Sequence, residues 1–459
     1  MFSNFRRRGL IDSDLRYEAN TSRAPDEPQA PYCLAPEVVD RILDHLWAEP
    51  RALKMCSLTC SGWLPTTRRH LFRTIRIRSS YFCVQFASLI LSRTAMPITF
   101  LPCVREIILQ DSPLRNVDVK LASRAFRRLR NVETLNLAFW PAVDLPTAFM
   151  EDMCLSFPNV IYLRMDECDI MDPVHFVQLV CGFPRLSRIH VEDQELLQRS
   201  DGPCAGFDRA AMESMRPIVY PKSLNKRTTL PDLVIERLDL LPSKQCFRLA
   251  AVLCQPRFKL RLRYLRVNWS CRRLSPLIHM LDNIGDALEE IVFAVEGNDI
   301  EKDQSWLADQ IKKLTVTNVR SLTIGKANLS SGMNENTFNW VPVLIRHVLE
   351  RSRHLVDLHF HLRFEEDLTT LDAFPWTRLD RLFLTLPARY IGRGVYVQLH
   401  IWVPAVDWVR RQGIYELGKS IRGKMPRSQC GMRFLDRHKP RGYEQGSVEY
   451  DMVLGLPTI

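Results

Sequence analysis

One short apolar pattern recurs along most of the chain and limits what it can fold into. The pattern is apolar–x–x–apolar–x–apolar. It appears as Phe72/Ile75/Ile77, Val104/Ile107/Leu109, Val132/Leu135/Leu137, Val160/Leu163/Met165 and Leu186/Ile189/Val191. It resumes as Ile235/Leu238/Leu240, Leu262/Leu265/Val267, Leu288/Ile291/Phe293, Val319/Leu322/Ile324, Leu355/Leu358/Phe360 and Leu379/Leu382/Leu384. The last members lie 24 to 36 residues apart, except for one interval of 49, close to two periods. Inside that interval Met215/Ile218/Tyr220 reads as a decayed copy, with Pro217 favouring an edge or broken strand. Alternation at the end of each core suits a short half-buried strand.

Helix-like stretches separate the cores. Val117–Leu129, Phe149–Phe157, Val174–Phe183, Cys246–Cys254, Leu277–Ile284, Trp306–Leu314 and Val341–Leu349 carry apolar residues at three- and four-residue spacing. Neither a lone strand nor a lone helix buries its apolar face, so neighbouring units must stack. One strand and one helix in each unit of about 27 residues resembles the leucine-rich repeat. The family's Asn or Cys three residues after the core appears once, as Cys168 after Met165, so the array is expected to be irregular. A plain α/β domain with parallel strands gives the same alternation and is the competing reading. Two insertions, Asp201–Leu230 and Gly325–Asn339, read as surface loops, and an acidic loop runs through Glu296–Asp303.

In a stacked array of this kind, alternate strand residues point away from the core onto one face. These outward positions include Arg76, Arg78, Gln110, Asn136, Arg164, Asp166, His190, Glu192, Asp239, Arg266, Asn268, His359 and His361. The set is polar and mixed in sign. Such a face suits recognition of a protein target better than a small-molecule pocket. Taken singly, each is equally a solvated strand residue.

A different pattern precedes the repeats. Val39, Ile42, Leu43 and Leu46 fall at i, i+3, i+4 and i+7, one apolar stripe on a helix. Pro36 suits the first helical position and Glu37 the first turn. A second helix carries Leu53, Cys56 and Cys60; a third runs from Trp63–Pro65 to Leu71-Phe72. Three helices this short leave apolar surface for something else to cover.

The order Leu34-x-Pro36-Glu37-Val38, Cys56-Ser57-Leu58-x-Cys60-x-x-Trp63, Leu71-Phe72-Arg73-x-Ile75 resembles the F-box, particularly the kind abundant in fungal proteins. Ala35 departs from it, since the family usually has Pro directly after Leu. The resemblance implies docking onto the Skp-type adaptor of an SCF ubiquitin ligase, and through it a cullin. It assigns that contact to Leu34, Pro36, Glu37, Val39, Ile42, Leu46, Leu53, Leu58 and Trp63. The bland alternative is a helical hairpin that caps the next domain. The expected fold class is α/β, a small three-helix F-box followed by an irregular leucine-rich-repeat solenoid. Residues 1–30 are expected to be disordered, 31–72 to form the F-box, 73–390 the solenoid, and 391–459 a C-terminal cap and tail. Val406–Ile421 reads as a helix, and the basic stretch from Gly423 as a loose cap or disordered.

Composition narrows the function classes. A net charge of +11 permits an acidic partner, but Arg6-Arg7-Arg8 is the densest basic run, so nucleic acid is the less favoured ligand. The 13 cysteines are scattered without a disulfide spacing, as buried thiols in a reducing compartment would be. No apolar run is long enough to span a bilayer; the longest lies near Val84–Leu91. The expected location is cytoplasmic, nuclear or both, with no membrane partner.

Catalytic motifs are lacking. Gly392-Arg393-Gly394 has no third glycine, and no phosphate loop, nucleophile elbow or His-Glu-x-x-His is present. His359 and His361 share one strand face, with Asp357 as the only nearby carboxylate, so no metal and no cofactor are expected. The chain reads as a non-catalytic substrate receptor of a ubiquitin ligase. The alternative is a repeat scaffold outside a ligase, binding nucleic acid or an acidic partner.

Overall fold

The computed structural model describes residues 34–92, 100–110, 119–139, 147–168, 179–192, 234–241, 253, 260–270, 274–284, 286–296, 304–329, 337–364, 368–385, 396–404, 419–421, 423–425, 431–435 and 447–455. The N-terminal segment 1–30, the insertion Asp201–Leu230 with Met215/Ile218/Tyr220, and most of the helix expected at Val406–Ile421 lie outside the described residues. The chain divides into two compact units, Met1–Leu71 and Phe72–Ile459.

The first unit contains α1 (Pro36–His45), α2 (Pro50–Thr59) and α3 (Leu64–Leu71). Both α1 and α2 begin on a proline, whose missing N–H is one of the unpaired donors of a first turn. Val39 and Leu43 of α1 meet Leu53 of α2 in a small core, with Leu46, Cys56, Trp63 and Leu71 packed around it. Two polar ties join α3 to α1. Thr66 donates to Asp40 at 2.5 Å, and His70 Nε2 lies 2.8 Å from Asp44.

The second unit is an α/β solenoid of the leucine-rich-repeat kind, built on one sheet with 13 strands among the described residues. Eleven strands run parallel in chain order. These are β1 (Thr74–Ile77), β2 (Glu106–Gln110), β3 (Thr134–Ala138), β4 (Tyr162–Asp166), β5 (Arg188–Glu192), β6 (Arg237–Leu240), β7 (Tyr264–Ser270), β8 (Glu290–Glu296), β9 (Ser321–Leu329), β10 (Asp357–Phe364) and β11 (Tyr396–Pro404). The register is set by the apolar cores. Ile77, Leu109, Leu137, Met165 and Val191 stand side by side, as do Leu240, Val267, Phe293, Ile324, Phe360 and Leu399. A one-residue slip would turn this whole row away from the core, which is why the register holds over so many strands.

Helices cover that apolar face. They are α4 (Ser80–Leu91), α5 (Val119–Phe126), α6 (Thr147–Ser156), α7 (Leu274–Ile284), α8 (Gln304–Ile311), α9 (Trp340–Arg351) and α10 (Trp376–Leu384). Ser79 caps α4, its hydroxyl accepting from the Phe82 N–H at 3.2 Å. Phe157, Phe183, Phe293, Phe360 and Phe374 are fully enclosed between helices and sheet.

A second periodic device holds successive turns together. Asn131, Asn159 and Asn318 each precede the first apolar residue of a core. Each donates its side-chain amide to a backbone carbonyl of the preceding repeat, on Pro102, Arg130 and Asp286 respectively. These bonds satisfy loop carbonyls that the parallel ladder leaves unpaired.

Three expectations are corrected. Leu379/Leu382/Leu384 is not a strand core; it lies on α10, where Trp376, Leu379, Asp380 and Phe383 form the buried stripe at i, i+3, i+4 and i+7. Leu384 is exposed, and the Trp376 indole N–H donates to the Leu371 carbonyl at 2.9 Å. The first part of the loop expected at Gly325–Asn339 is strand, because β9 runs on to Leu329, and residues 330–336 lie outside the described residues. The C-terminal stretch is not wholly loose. Strands β12 (Gly431–Leu435) and β13 (Ser447–Gly455) join the sheet, with β13 antiparallel to both β11 and β12.

Candidate functional site on the polar face of the sheet

The face turned away from the helices carries one row of side chains in register. From β1 to β10 it reads Arg76, Ile108, Asn136, Arg164, His190, Asp239, Arg266, Val292, Thr323, His359. The expected positions Arg76, Asn136, Arg164, His190, Arg266 and His359 therefore fall in a single line across ten strands. Asp166 and Glu192 stand beside one another in the next row. Arg78 lies just past the end of β1 and is exposed, and His361 is exposed on β10.

This face is not a uniformly solvated surface. Asn136, His190, Asp239, Asn268 and Thr323 are buried, because neighbouring strands stand so close that adjacent side chains shield one another. His190 is 8% exposed and Asp239 only 3%. Burial of polar groups at this level requires partners.

Most partners come from one network on β4, β5 and β6. Arg164 Nε donates to Asp166 at 2.7 Å, and its Nη2 lies 3.6 Å from Glu192. His190 Nε2 faces Glu192 at 3.2 Å and Asp166 at 3.9 Å, while its Nδ1 faces Asp239 at 3.9 Å. Arg237 Nε donates to Asp239 at 3.0 Å, and the same guanidinium stacks 3.9 Å above the Tyr264 ring. The Oδ1 atoms of Asn136 and Asp239 are buried with no hydrogen-bond partner.

The electrostatics follow from this packing. Burial pushes the His190 imidazole towards its neutral form, but the Asp239 and Glu192 carboxylates outweigh it and hold its pKa above the ordinary value. For Asp239 burial acts upward, yet His190 and Arg237 keep the carboxyl below the usual range. Glu290, half-buried on β8, is pushed up by burial and by the nearby carboxylates of Asp239 and Asp357.

Asp166, His190 and Glu192 bring three possible metal-donor atoms within 4.8 Å of one another. Arg164 already spans both of these carboxylates, and the pull on His190 is towards protonation, which occupies the nitrogen a metal would need. The donor set thus fits a cation supplied by the protein better than a metal ion. His359, His361 and Asp357 do not gather into a second donor set of this kind among the described residues.

Sequence reading selected Arg164, Asp166, His190 and Glu192 but gave Arg237, Tyr162 and Tyr264 no part in the face. A signal was present. Arg164-Met165-Asp166 and Arg237-Leu238-Asp239 repeat an Arg-x-Asp spacing, which puts both charges on one face of a strand.

The residues that the resemblance assigns to an adaptor contact divide into two sets. Leu34, Ile42 and Leu58 are exposed at 56%, 47% and 82%, and Pro36 and Glu37 are exposed too. Val39 and Leu53 are enclosed in the unit's own core, and Leu46 and Trp63 are partly buried against it. Enclosure removes Val39 and Leu53 as direct contact residues; they hold the helices that carry the exposed ones. Val38, Trp47 and Met55 are exposed apolar residues that the sequence reading did not select.

No family model matches the sequence, and no curated protein does. Among solved structures, the chain is similar to the leucine-rich repeat-containing protein LegL7 from Legionella pneumophila, at 12% identity and a TM-score of 0.42, over 76% of this chain and 98% of that one. It is also similar to the structure of the Rad7 and Elc1 complex in yeast, at 12% identity and a TM-score of 0.26, over 71% of this chain and 87% of that one. At these scores the architecture is read from this chain's own strand ladder. No helix among the described residues is long and apolar enough to cross a membrane.

Proposed function

We propose that this chain is the substrate-recognition subunit of an SCF-type ubiquitin ligase. In this reading the three-helix unit is an F-box that docks on a Skp-type adaptor and thereby a cullin. The polar face of the repeats holds a protein target. The role is positional, with no catalysis by the chain itself: holding the target near the ubiquitin-conjugating enzyme raises its effective concentration there.

One observation carries the reading. Val38 and Ile42, one turn apart on α1, and Leu34 just ahead of the helix are exposed, while Val39, Leu43 and Leu53 already fill the core of the unit. An apolar ridge left over after the core is complete is the mark of a surface that a partner covers. Such anchors dominate binding energy in protein interfaces, with charged rims contributing specificity.

The test is co-purification of adaptor and cullin with the full chain, beside an Ile42→Ala/Leu58→Ala variant. The wild type is expected to retain both proteins and the variant to lose them while keeping its helical signal. Wild type that retains neither would remove the ligase from the reading and leave a repeat scaffold for protein binding.

A further inference from the structure

We propose that Tyr162, Arg188, Arg237 and Tyr264 form a carboxylate-binding seat on the polar face, which takes an aspartate or glutamate side chain from an acidic segment of the target. The inference rests on the reading that this face holds a protein target, and it names the chemistry of the segment held.

The four residues stand side by side in register. They come from β4, β5, β6 and β7, in the row next to the one that runs through Arg164, His190 and Asp239. Two arginines are thus direct neighbours, bracketed by two tyrosines. Like charges on adjacent strands repel, so this pairing costs the sheet stability. No described carboxylate relieves Arg188. It is exposed on β5, and its side chain makes no ion pair or hydrogen bond among the described residues.

Arg237 is held in place from two sides. Its Nε donates to Asp239 at 3.0 Å, and its guanidinium carbon lies 3.9 Å from the centre of the Tyr264 ring. Its Nη groups make no hydrogen bond among the described residues, and its side chain is 43% exposed. The outer N–H groups of Arg237 and the whole guanidinium of Arg188 are therefore open to a carboxylate, the anion that fits this planar fork. Burial holds the Tyr162 and Tyr264 hydroxyls above their ordinary pKa, so both keep a proton to donate.

The surroundings define the occupant. Strands lie about 4.8 Å apart, so the row from Tyr162 to Tyr264 is about 14 Å long, the length of about four extended residues. Glu290 stands beside Tyr264 at one end, and Asp239, then Asp166 and Glu192, line the rows beyond. A phosphate chain laid across the face would run against these carboxylates at several points. A single carboxylate reaching down between Arg188 and Arg237 meets two guanidinium groups. A short acidic peptide thus fits the row better than a nucleic acid.

The test pans a display library of random short peptides on the full chain. Recovered peptides are synthesised with a fluorophore, and their Kd is measured by anisotropy. They are expected to be enriched in Asp and Glu. Arg188→Gln should weaken their binding about tenfold, and Arg346→Gln, an equal loss of charge on the exposed side of α9, less than about twofold. The Tm of Arg188→Gln should not fall, because Arg237 loses a like-charged neighbour. Changing the acidic residue of the peptide to its amide should cost the same factor, and should cost little more when combined with Arg188→Gln. This arm on the wild-type chain needs no folded variant. Acidic peptides that bind Arg188→Gln as tightly as wild type overturn the proposal. So does tighter binding of an oligothymidylate than of the acidic peptides, lost in Arg188→Gln, which assigns the row to nucleic acid. Recovered peptides without acidic enrichment also overturn it. If those peptides photo-crosslink to the polar face, the target-holding reading stands. Attachment elsewhere, or no binder at all, removes that reading as well.

Discussion

Gly182 lies directly against Cys154. A methyl group on Gly182 would stand 2.2 Å from Cys154 Sγ and 2.8 Å from its Cβ. Cys154 sits on α6, and Gly182 closes the short helical stretch before Phe183, so the absence of a side chain sets how closely these neighbouring layers pack. Gly182→Ala is expected to lower stability by about 1–3 kcal/mol through overpacking. Adding Cys154→Ala should recover part of the loss, since it removes the nearer atom and leaves the Cβ. Urea denaturation of the two single variants and the double variant, read as a cycle, checks the coupling.

Two buried thiols respond to alkaline pH. Burial pushes Cys83 and Cys181 from the ordinary 9.0 up to about 11. Unfolding therefore releases their protons at a lower pH than the native state allows. The contribution to stability is complete below 9.0 and declines as pH rises towards the native values. In the native chain at about pH 8, alkylation should reach exposed Cys60 first and spare Cys83 and Cys181 until denaturant is added. Mass spectrometry of alkylated peptides gives the order.

In the three-helix unit, stability and surface are separable. Leu53→Ala is expected to cost about 2–5 kcal/mol, because the side chain is enclosed by α1 and α3. Leu58→Ala should stay within about 0.5 kcal/mol of wild type, since that residue is almost fully exposed. Hydrogen exchange of peptides within 34–71 distinguishes the two without requiring a partner.

Arg237 supports Asp239 from one side and Tyr264 from the other. Arg237→Met should lower stability by about 1–3 kcal/mol at neutral pH, as a charged hydrogen bond to a buried acceptor is lost. It should also raise the midpoint of acid unfolding. Asp239 is held below its ordinary pKa, so its contribution is present above that value and lost as pH falls through the folded one. Removing Arg237 shrinks the depression and moves the loss to higher pH. Acid titrations followed by circular dichroism measure the displacement.

How far the sequence spoke for the fold depends on the residue pattern. The strand ladder was legible because Leu109, Leu137, Met165 and their counterparts recur at similar intervals with helix-like stretches between them, the pattern that stacked strand–helix units require. Leu379/Leu382/Leu384 shows the limit. Three apolar residues at offsets of three and two fit a strand core and a helix stripe equally well, and only Trp376 ahead of them and Phe383 between the last two decide for the helix. The polar row was legible in position but not in environment. Asn136, His190 and Asp239 look solvated in a single strand and are buried once their neighbours are in register. That burial is a property of the assembled sheet, and no local window contains it.

The reversal of strand direction at β13 sets a limit on how this protein can change in length. Between β1 and β11 each strand meets a parallel neighbour through the same apolar row, with one register shift between Phe360 and Leu362 where β10 meets β9, so excision or duplication of one whole unit away from that shift leaves two compatible edges to rejoin. Past β11 the rule changes, because β13 pairs antiparallel on both sides and presents no edge that matches a unit of the array. Variation in repeat number is thereby confined to the interior of the solenoid. A chain that gained or lost one unit there would move Arg164, His190 and Asp239 relative to the flanking strands while keeping them adjacent to one another.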